Sequence, residues 1–272
     1  MLDHLDLTAV RAVALDVDGT LAGVDSRVSA RTIEAMRRVQ ALGIPVIVLT
    51  GRTRRNTLAI ARQAGLHLAV ACNGALVIDP TTDENLAVNP MSAGAKNSFR
   101  TMAEDLGLEL TWWTEDHMYV AAEGPMRDLI RELNHEVAEI GDPGMIEQAV
   151  VMKMMASGPA AYLDEVADEV VRRVPTAQRS LDNLYEVVDP DSTKWHALQW
   201  ALRRYDIDPA DVLGAGDGGN DVVWLSRIGH PVAMGNARPE VHELTSMRAP
   251  SHADEGAAVL LERLIEARKA SV

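Results

Sequence analysis

The sequence predicts an α/β protein in which a parallel-sheet core is interrupted by an α+β insert. Three observations point to it. At both ends of the chain, short runs rich in Val, Ile, Leu and Ala alternate with amphipathic helical stretches. Between those ends, strand-like runs follow one another without intervening helices. Composition agrees: 47% of the 272 residues are hydrophobic but only 4% are aromatic, so the core is built from small and branched aliphatics, as in strands covered on both faces.

In chain order, Ala12, Val13, Ala14 and Leu15 read as a buried strand. Asp16 and Asp18 stand where it stops, and Gly19 lets the chain bend. After a short polar link, 29–42 is predicted to be a helix with Ile33, Met36 and Val39 inward and Gly43 beyond its end. A strand over 44–49 leads into Thr50, Gly51 and Arg52, and a helix over 53–64 is closed by Gly65. The third strand, 68–71, is followed by Asn73 and Gly74, which turn the chain into 75–78. This alternation implies parallel pairing through right-handed crossovers.

Residues 81–85, polar and turn-rich after Asp79 and Pro80, read as a connection to a separate module. In that module 108–113 pairs with 117–122 and 176–181 with 184–188, a strand lies at 149–156, and helices fall at 92–106, 125–138 and 160–174. The alternation resumes after Pro190 with a helix that carries Trp195, Leu198 and Leu202 on one face. A strand over 212–215, the loop 216–221, a strand over 230–234 and a closing amphipathic helix over 254–269 follow. The expected core is thus 1–82 with 189–272, and the expected insert is 83–188.

Two carboxylates one residue apart at a strand end admit three readings. One is a solvated turn, since Asp and Gly are common turn residues. A calcium loop of the EF-hand type asks for further alternating oxygen ligands and a Glu at its twelfth position, where Arg27 stands counting from Asp16. The third is chemistry on phosphate, in which one ionised carboxylate attacks phosphorus and the other handles the proton of the leaving oxygen. A net charge of −14, from 26 basic and 40 acidic residues, argues against nucleic acid or an anionic membrane surface as partner. The one cysteine, Cys72, excludes an internal disulfide and reads as a small buried residue. Residues 1–6 lack a basic and then apolar signal, and no apolar run is long enough to span a bilayer, which reads as a cytoplasmic protein.

Asp16-Val-Asp18-Gly-Thr, Leu49-Thr50-Gly51-Arg52 and Gly216-Asp217-Gly-Gly-Asn220-Asp221 stand at the ends of core strands, with Lys194 near a helix start ahead of the last. Together they resemble the four motifs of the haloacid dehalogenase-like phosphatases, and their order resembles the Cof-type subfamily. Asn73-Gly74-Ala75 and Ala233-Met-Gly-Asn-Ala237 are similar to further signatures of that subfamily. The resemblance implies a Rossmann-like core with a type IIB cap (C2B) inserted after the third core strand. It also implies Mg²⁺-dependent hydrolysis of small phosphomonoesters, sugar phosphates or phosphorylated cofactors, through an aspartyl-phosphate.

In that scheme Asp16 is the nucleophile and a metal ligand, and Asp18 is the acid and base that also gives the metal its backbone carbonyl. Asp217 is the second carboxylate ligand, and Asp221 orients metal-bound water or Lys194. Thr50, Gly51, Lys194 and Asn220 hold the phosphoryl group. Arg52 and Asn73 are candidates for substrate contact, Arg52 being equally readable as a surface group opening a helix. Trp195 stands where relatives commonly have Gly and reads as packed on the core face of its helix. The Met-rich run around Lys153 reads as strand alternation, with Lys153 a candidate for substrate contact, and the cluster of Trp112, Trp113, Glu115, His117 and Tyr119 is a candidate for choosing the leaving group, any one of them being equally a core residue. The expected partner is a small phosphorylated metabolite, met by a monomer or small homo-oligomer. A sugar phosphomutase, a receiver-like module and a phosphate-binding module without catalysis are the alternatives.

Overall fold

The computed structural model describes residues 7–23, 27–134 and 136–270. The reading of residues 1–6 and part of the expected polar link after Gly23 lie outside the described residues. The chain opens with β1 (Ala12–Asp16), α1 (Ala30–Gln40), β2 (Val46–Leu49), α2 (Arg54–Ala64), β3 (Ala69–Ala71), β4 (Leu76–Asp79) and β5 (Glu84–Val88). Then come α3 (Ala93–Asp105), β6 (Glu109–Trp113), β7 (Met118–Val120), α4 (Pro125–Asn134), β8 (Glu139–Ile140), β9 (Lys153–Ser157), α5 (Ala160–Glu165), α6 (Ala167–Arg173), β10 (Gln178–Leu181) and β11 (Leu184–Val188). It closes with α7 (Lys194–Tyr205), β12 (Val212–Gly216), α8 (Val222–Leu225), β13 (His230–Ala233), α9 (Pro239–Leu244) and α10 (Gly256–Ala270).

Two compact units result: 1–51 with 55–87 and 194–272, and 52–54 with 88–193. The first is built on a seven-stranded sheet in the order β13-β12-β1-β2-β3-β4-β5. From β13 to β3 all neighbours are parallel, whereas β3 and β4 form an antiparallel hairpin around the Asn73 turn. Every residue of β1 is buried because both faces of the strand are covered. Val13 and Leu15 join Met36, Val39, Leu261 and Leu264 on one face, while Ala12 and Ala14 join Leu198, Leu202 and Trp224 on the other. Side-chain alternation along extended backbone thus turns one apolar run into two half-cores.

Residues 84 and 85 depart from the connection read in the sequence, since they begin the edge strand β5. Its polar look reflects its place: only Leu86 and Ala87 pack on the core, and an edge strand leaves the rest to solvent. Trp195 is buried and packs in the same half-core, with the Arg227 guanidinium 5.2 Å from its ring centroid.

The second unit carries a six-stranded sheet in the order β10-β11-β9-β6-β7-β8, antiparallel except for the β7–β8 pair. One face is packed with Phe99, Met102, Leu110, Trp112, Met154, Leu163 and Val187. The expected helix over 160–174 is broken at Val166, which leaves helical geometry at φ −97° and ψ 4°. Leu163 and Val170, one from each half, both reach the packed face. The strand expected from 149 starts only at Lys153. The buried Lys96 ammonium donates to the carbonyls of Glu147 and Ala149 at 3.3 and 2.6 Å, which holds that stretch against α3 instead of in the sheet. Among the described residues no helix is long and apolar enough to cross a membrane.

Candidate active site

The parallel order β12-β1-β2 sets three strand ends side by side, the place where open α/β sheets bind ligands. Asp16 closes β1 opposite Leu49 of β2, so Thr50 follows directly beside it. On the other side Ala215 pairs with Leu15, and Asp217 leaves the end of β12. Sequence positions far apart are thereby gathered within one unit.

Lys194 crosses this edge from the first residue of α7. Its Nζ donates to Asp16 Oδ1 at 2.5 Å and to Asp221 Oδ1 at 2.8 Å, and all three residues are buried. A cation at a helix start opposes the helix dipole, so these two carboxylates must supply what the helix does not. Burial alone draws the ammonium down, yet Asp16 and Asp221 carry it above the ordinary lysine range, and it stays charged. Burial, together with the Asp221 charge, pushes Asp16 well above the usual carboxylate range, although Lys194 pulls against them. A nucleophilic carboxylate needs to be ionised, so more positive charge is called for than one lysine supplies.

Asp221 is fully buried and saturated. Oδ1 accepts from Lys194 Nζ and from the Trp224 indole Nε1 at 2.9 Å, and Oδ2 accepts from the amides of Asp217 and Gly218 at 3.1 and 3.0 Å. With four donors it occupies about all the lone-pair sites a carboxylate has. Its evident task is to shape the 216–221 loop and to hold the lysine.

Carboxylate oxygens of Asp16, Asp217 and Asp221 lie within 4.8 Å of one another. Three carboxylates against one ammonium leave two negative charges, and hard oxygen donors of this kind fit a divalent cation such as Mg²⁺. The half-buried Asp217 is pushed up to about 6, first by burial and next by Asp221, which is the strain such an ion relieves.

The turn after Asp18 is held tightly to this group. Gly19 has φ +80°, and a Cβ there would come within 2.1 Å of Asp217 Oδ2, so neither the conformation nor the space admits another residue. Asn236 Nδ2 donates to the Gly19 carbonyl at 2.8 Å and to Asp217 Oδ2 at 3.3 Å, and its Oδ1 accepts from the His252 amide at 2.9 Å.

Thr50 is buried at the end of β2, and its carbonyl accepts from the Asn73 amide at 2.9 Å. Asn73 Oδ1 lies against Gly51, where a Cβ would approach it to 3.0 Å, and is 3.5 Å from Asn220 Nδ2. The structure therefore gathers Asp16, Asp217, Asp221 and Lys194 into one group and Thr50, Gly51, Asn73 and Asn220 into a rim. Asp18 is exposed, and its side chain is outside the carboxylate group. Arg52, which follows Gly51, is buried and is grouped with the second compact unit. In that unit Lys153 is buried, with its Nζ 3.0 Å from Glu186 Oε2 and 4.6 Å from the Trp113 ring centroid.

Two residues of the site escaped the sequence reading. Trp224 follows Asp221 by three, a spacing that puts both on one side of a helical turn, and that was its only signal. Asn236 stood inside the 233–237 signature with no chemistry to mark it.

A family model described as haloacid dehalogenase-like hydrolase matches residues 13–261. A phosphoglycolate phosphatase of Methanopyrus kandleri is 29% identical over 273 residues, covering 93% of this chain and 97% of that protein. A Bacillus subtilis protein named 5-amino-6-(5-phospho-D-ribitylamino)uracil phosphatase YwtE is 24% identical over 294 residues, covering 96% of this chain and all of that protein. Among solved structures, the HAD subclass IIB sugar phosphatase BT4131 matches with a TM-score of 0.80 at 21% identity, over 93% of this chain and 98% of that one.

Proposed function

Because the chain belongs to the haloacid dehalogenase-like hydrolases, in their Cof-type branch, and is a phosphoric monoester hydrolase, we propose that it hydrolyses small phosphomonoesters through an aspartyl-phosphate on Asp16. The observation that carries this reading is the buried Lys194 ammonium held between Asp16 and Asp221, beside Asp217. A phosphomonoester is a dianion, and a bare carboxylate would repel it.

An Asp16 oxygen attacks phosphorus as the bond to the ester oxygen breaks. The exposed Asp18 carboxyl gives its proton to the departing alkoxide and then takes one from the water that attacks the same phosphorus. Inorganic phosphate leaves and the Asp16 carboxylate returns. Lys194, the Thr50 hydroxyl, the Gly51 amide and Asn220 offer donors to the phosphoryl oxygens, where charge develops. Asp16, Asp217 and the Asp18 carbonyl would hold Mg²⁺ with Asp221 behind them, and bound there the ion supplies the positive charge that lets two anions meet.

Sugar phosphates and phosphorylated cofactors are the proposed substrate class. The relatives named above carry small phosphorylated compounds in their names, which supports a substrate of similar size.

The test is phosphate release by the purified protein from a panel of phosphorylated metabolites, with Mg²⁺ or with EDTA. Turnover is expected only with Mg²⁺ and without any bisphosphate activator, which separates hydrolysis from a mutase. Asp16→Asn is expected to melt like the wild type and to lose roughly three orders of magnitude or more in kcat. Near wild-type turnover by that variant would contradict the covalent route.

A further inference from the structure

The carboxylate that holds the lysine is itself held by an indole. Asp221 Oδ1 is shared between Lys194 Nζ at 2.8 Å and Trp224 Nε1 at 2.9 Å. Trp224 is fully buried on α8 among Val212, Leu225, Ile228, Ala233 and Val241. Its ring lies over bare backbone of β12: a Cβ on Gly214 would come within 2.5 Å of Trp224 Cζ3. Ring and strand are thus fitted so that the one polar atom of the indole meets the carboxylate. Burial favours a partner for the indole N–H, and here the partner also holds the lysine that touches Asp16.

We propose that Trp224 is a positioning residue for phosphoryl transfer: its N–H fixes the rotation of the Asp221 carboxylate and occupies part of Oδ1, so that Lys194 is directed to Asp16. Without the N–H, the amides of Asp217 and Gly218 still anchor Oδ2. Oδ1 is then free to swing and to draw Lys194 toward itself. The proposal rests on the reading in which Asp16 attacks phosphorus with Lys194 beside it.

Trp224→Phe keeps a ring and removes the N–H. With an aryl phosphate and Mg²⁺, kcat is expected to fall about ten-fold with KM within about two-fold, in keeping with a hydrogen bond to a charged group. In an Asp221→Asn background the same change is expected to cost less than about two-fold, because the N–H then has no carboxylate to orient. Wild-type kcat in Trp224→Phe, or an equal loss in both backgrounds, would assign Trp224 to packing alone and overturn the proposal.

If Trp224→Phe does not fold, ¹⁵N–¹H spectra of wild type and Asp221→Asn decide. One indole resonance of the five tryptophans is expected to move to higher field in the variant, and unmoved indoles would overturn the proposal. Absence of Mg²⁺-dependent turnover in the wild type would instead remove the mechanism it rests on, whatever the spectra show.

Discussion

Asp217 keeps its proton to about 6 because it is partly buried and lies beside Asp221, and this links the site to the stability of the core. A carboxyl whose folded pKa lies above its unfolded value binds its proton more tightly when folded. Its stabilising effect is complete below the ordinary 3.8 and lost as pH rises through about 6. In metal-free protein at about pH 7.5, ionised Asp217 therefore costs about 1–2 kcal/mol once solvent screening is discounted. Asp217→Asn is expected to raise the melting temperature of EDTA-treated protein at about pH 7.5 and to abolish most of the increment that Mg²⁺ gives the wild type. The wild-type increment is expected to shrink at about pH 5, where the carboxyl is mostly protonated. Calorimetry with and without Mg²⁺ checks this, and equal increments in the two proteins would contradict it. Asp16, Asp217 and Lys194, which the fold brings together, stood out in the sequence because the two aspartates close strand-like runs and the motif resemblance pointed to the lysine. Trp224 and Asn236 did not, because an indole or amide shows its role only through the partner that folding brings to it.

The β3–β4 hairpin shows how one element serves both fold and site. Asn73 takes φ 57° at the turn, while its amide holds the Thr50 carbonyl and its side chain lies on Gly51. Asn73→Gly keeps the left-handed turn and removes the side chain, whereas Asn73→Ala also imposes a backbone penalty of about 1–2 kcal/mol. Both variants are expected to lose a similar share of kcat, roughly five-fold, while only the alanine is clearly less stable. Melting curves and turnover measured together check this. Activity that simply followed stability would contradict a role of the side chain in the rim. The Asn-Gly pair announced this turn, as the apolar runs announced β1 and β2. The late start of β9 was not readable, since it follows from Lys96 reaching carbonyls on a distant stretch. The edge strand β5 was hidden by its own exposure, which makes it read as a loop.

At the scale of the molecule, the seven-stranded sheet is completed from both sides of a long intervening segment. Residues before that segment supply Asp16 and Thr50, and residues after it supply Lys194, Asp217 and Asp221, so that Lys194 and Asp16 meet across 178 positions of sequence. The pairing of β12 with β1 brings Asp217 and Asp221 to Asp16. The alternation of helices and strands at the two ends made the α/β core legible, and four motifs in register made the strand ends the place to look. What alternation could not convey was the closeness of those ends, which depends on strand order. In the proposed function this assembled edge lets Asp16 accept a phosphoryl group, and trapping that state tests it most directly. Protein quenched in acid during turnover of a phosphomonoester with Mg²⁺, then digested and examined by mass spectrometry, is expected to carry phosphate on the peptide containing Asp16. The same adduct on another residue, or steady turnover with Asp16 unmodified at every quench time, would contradict it.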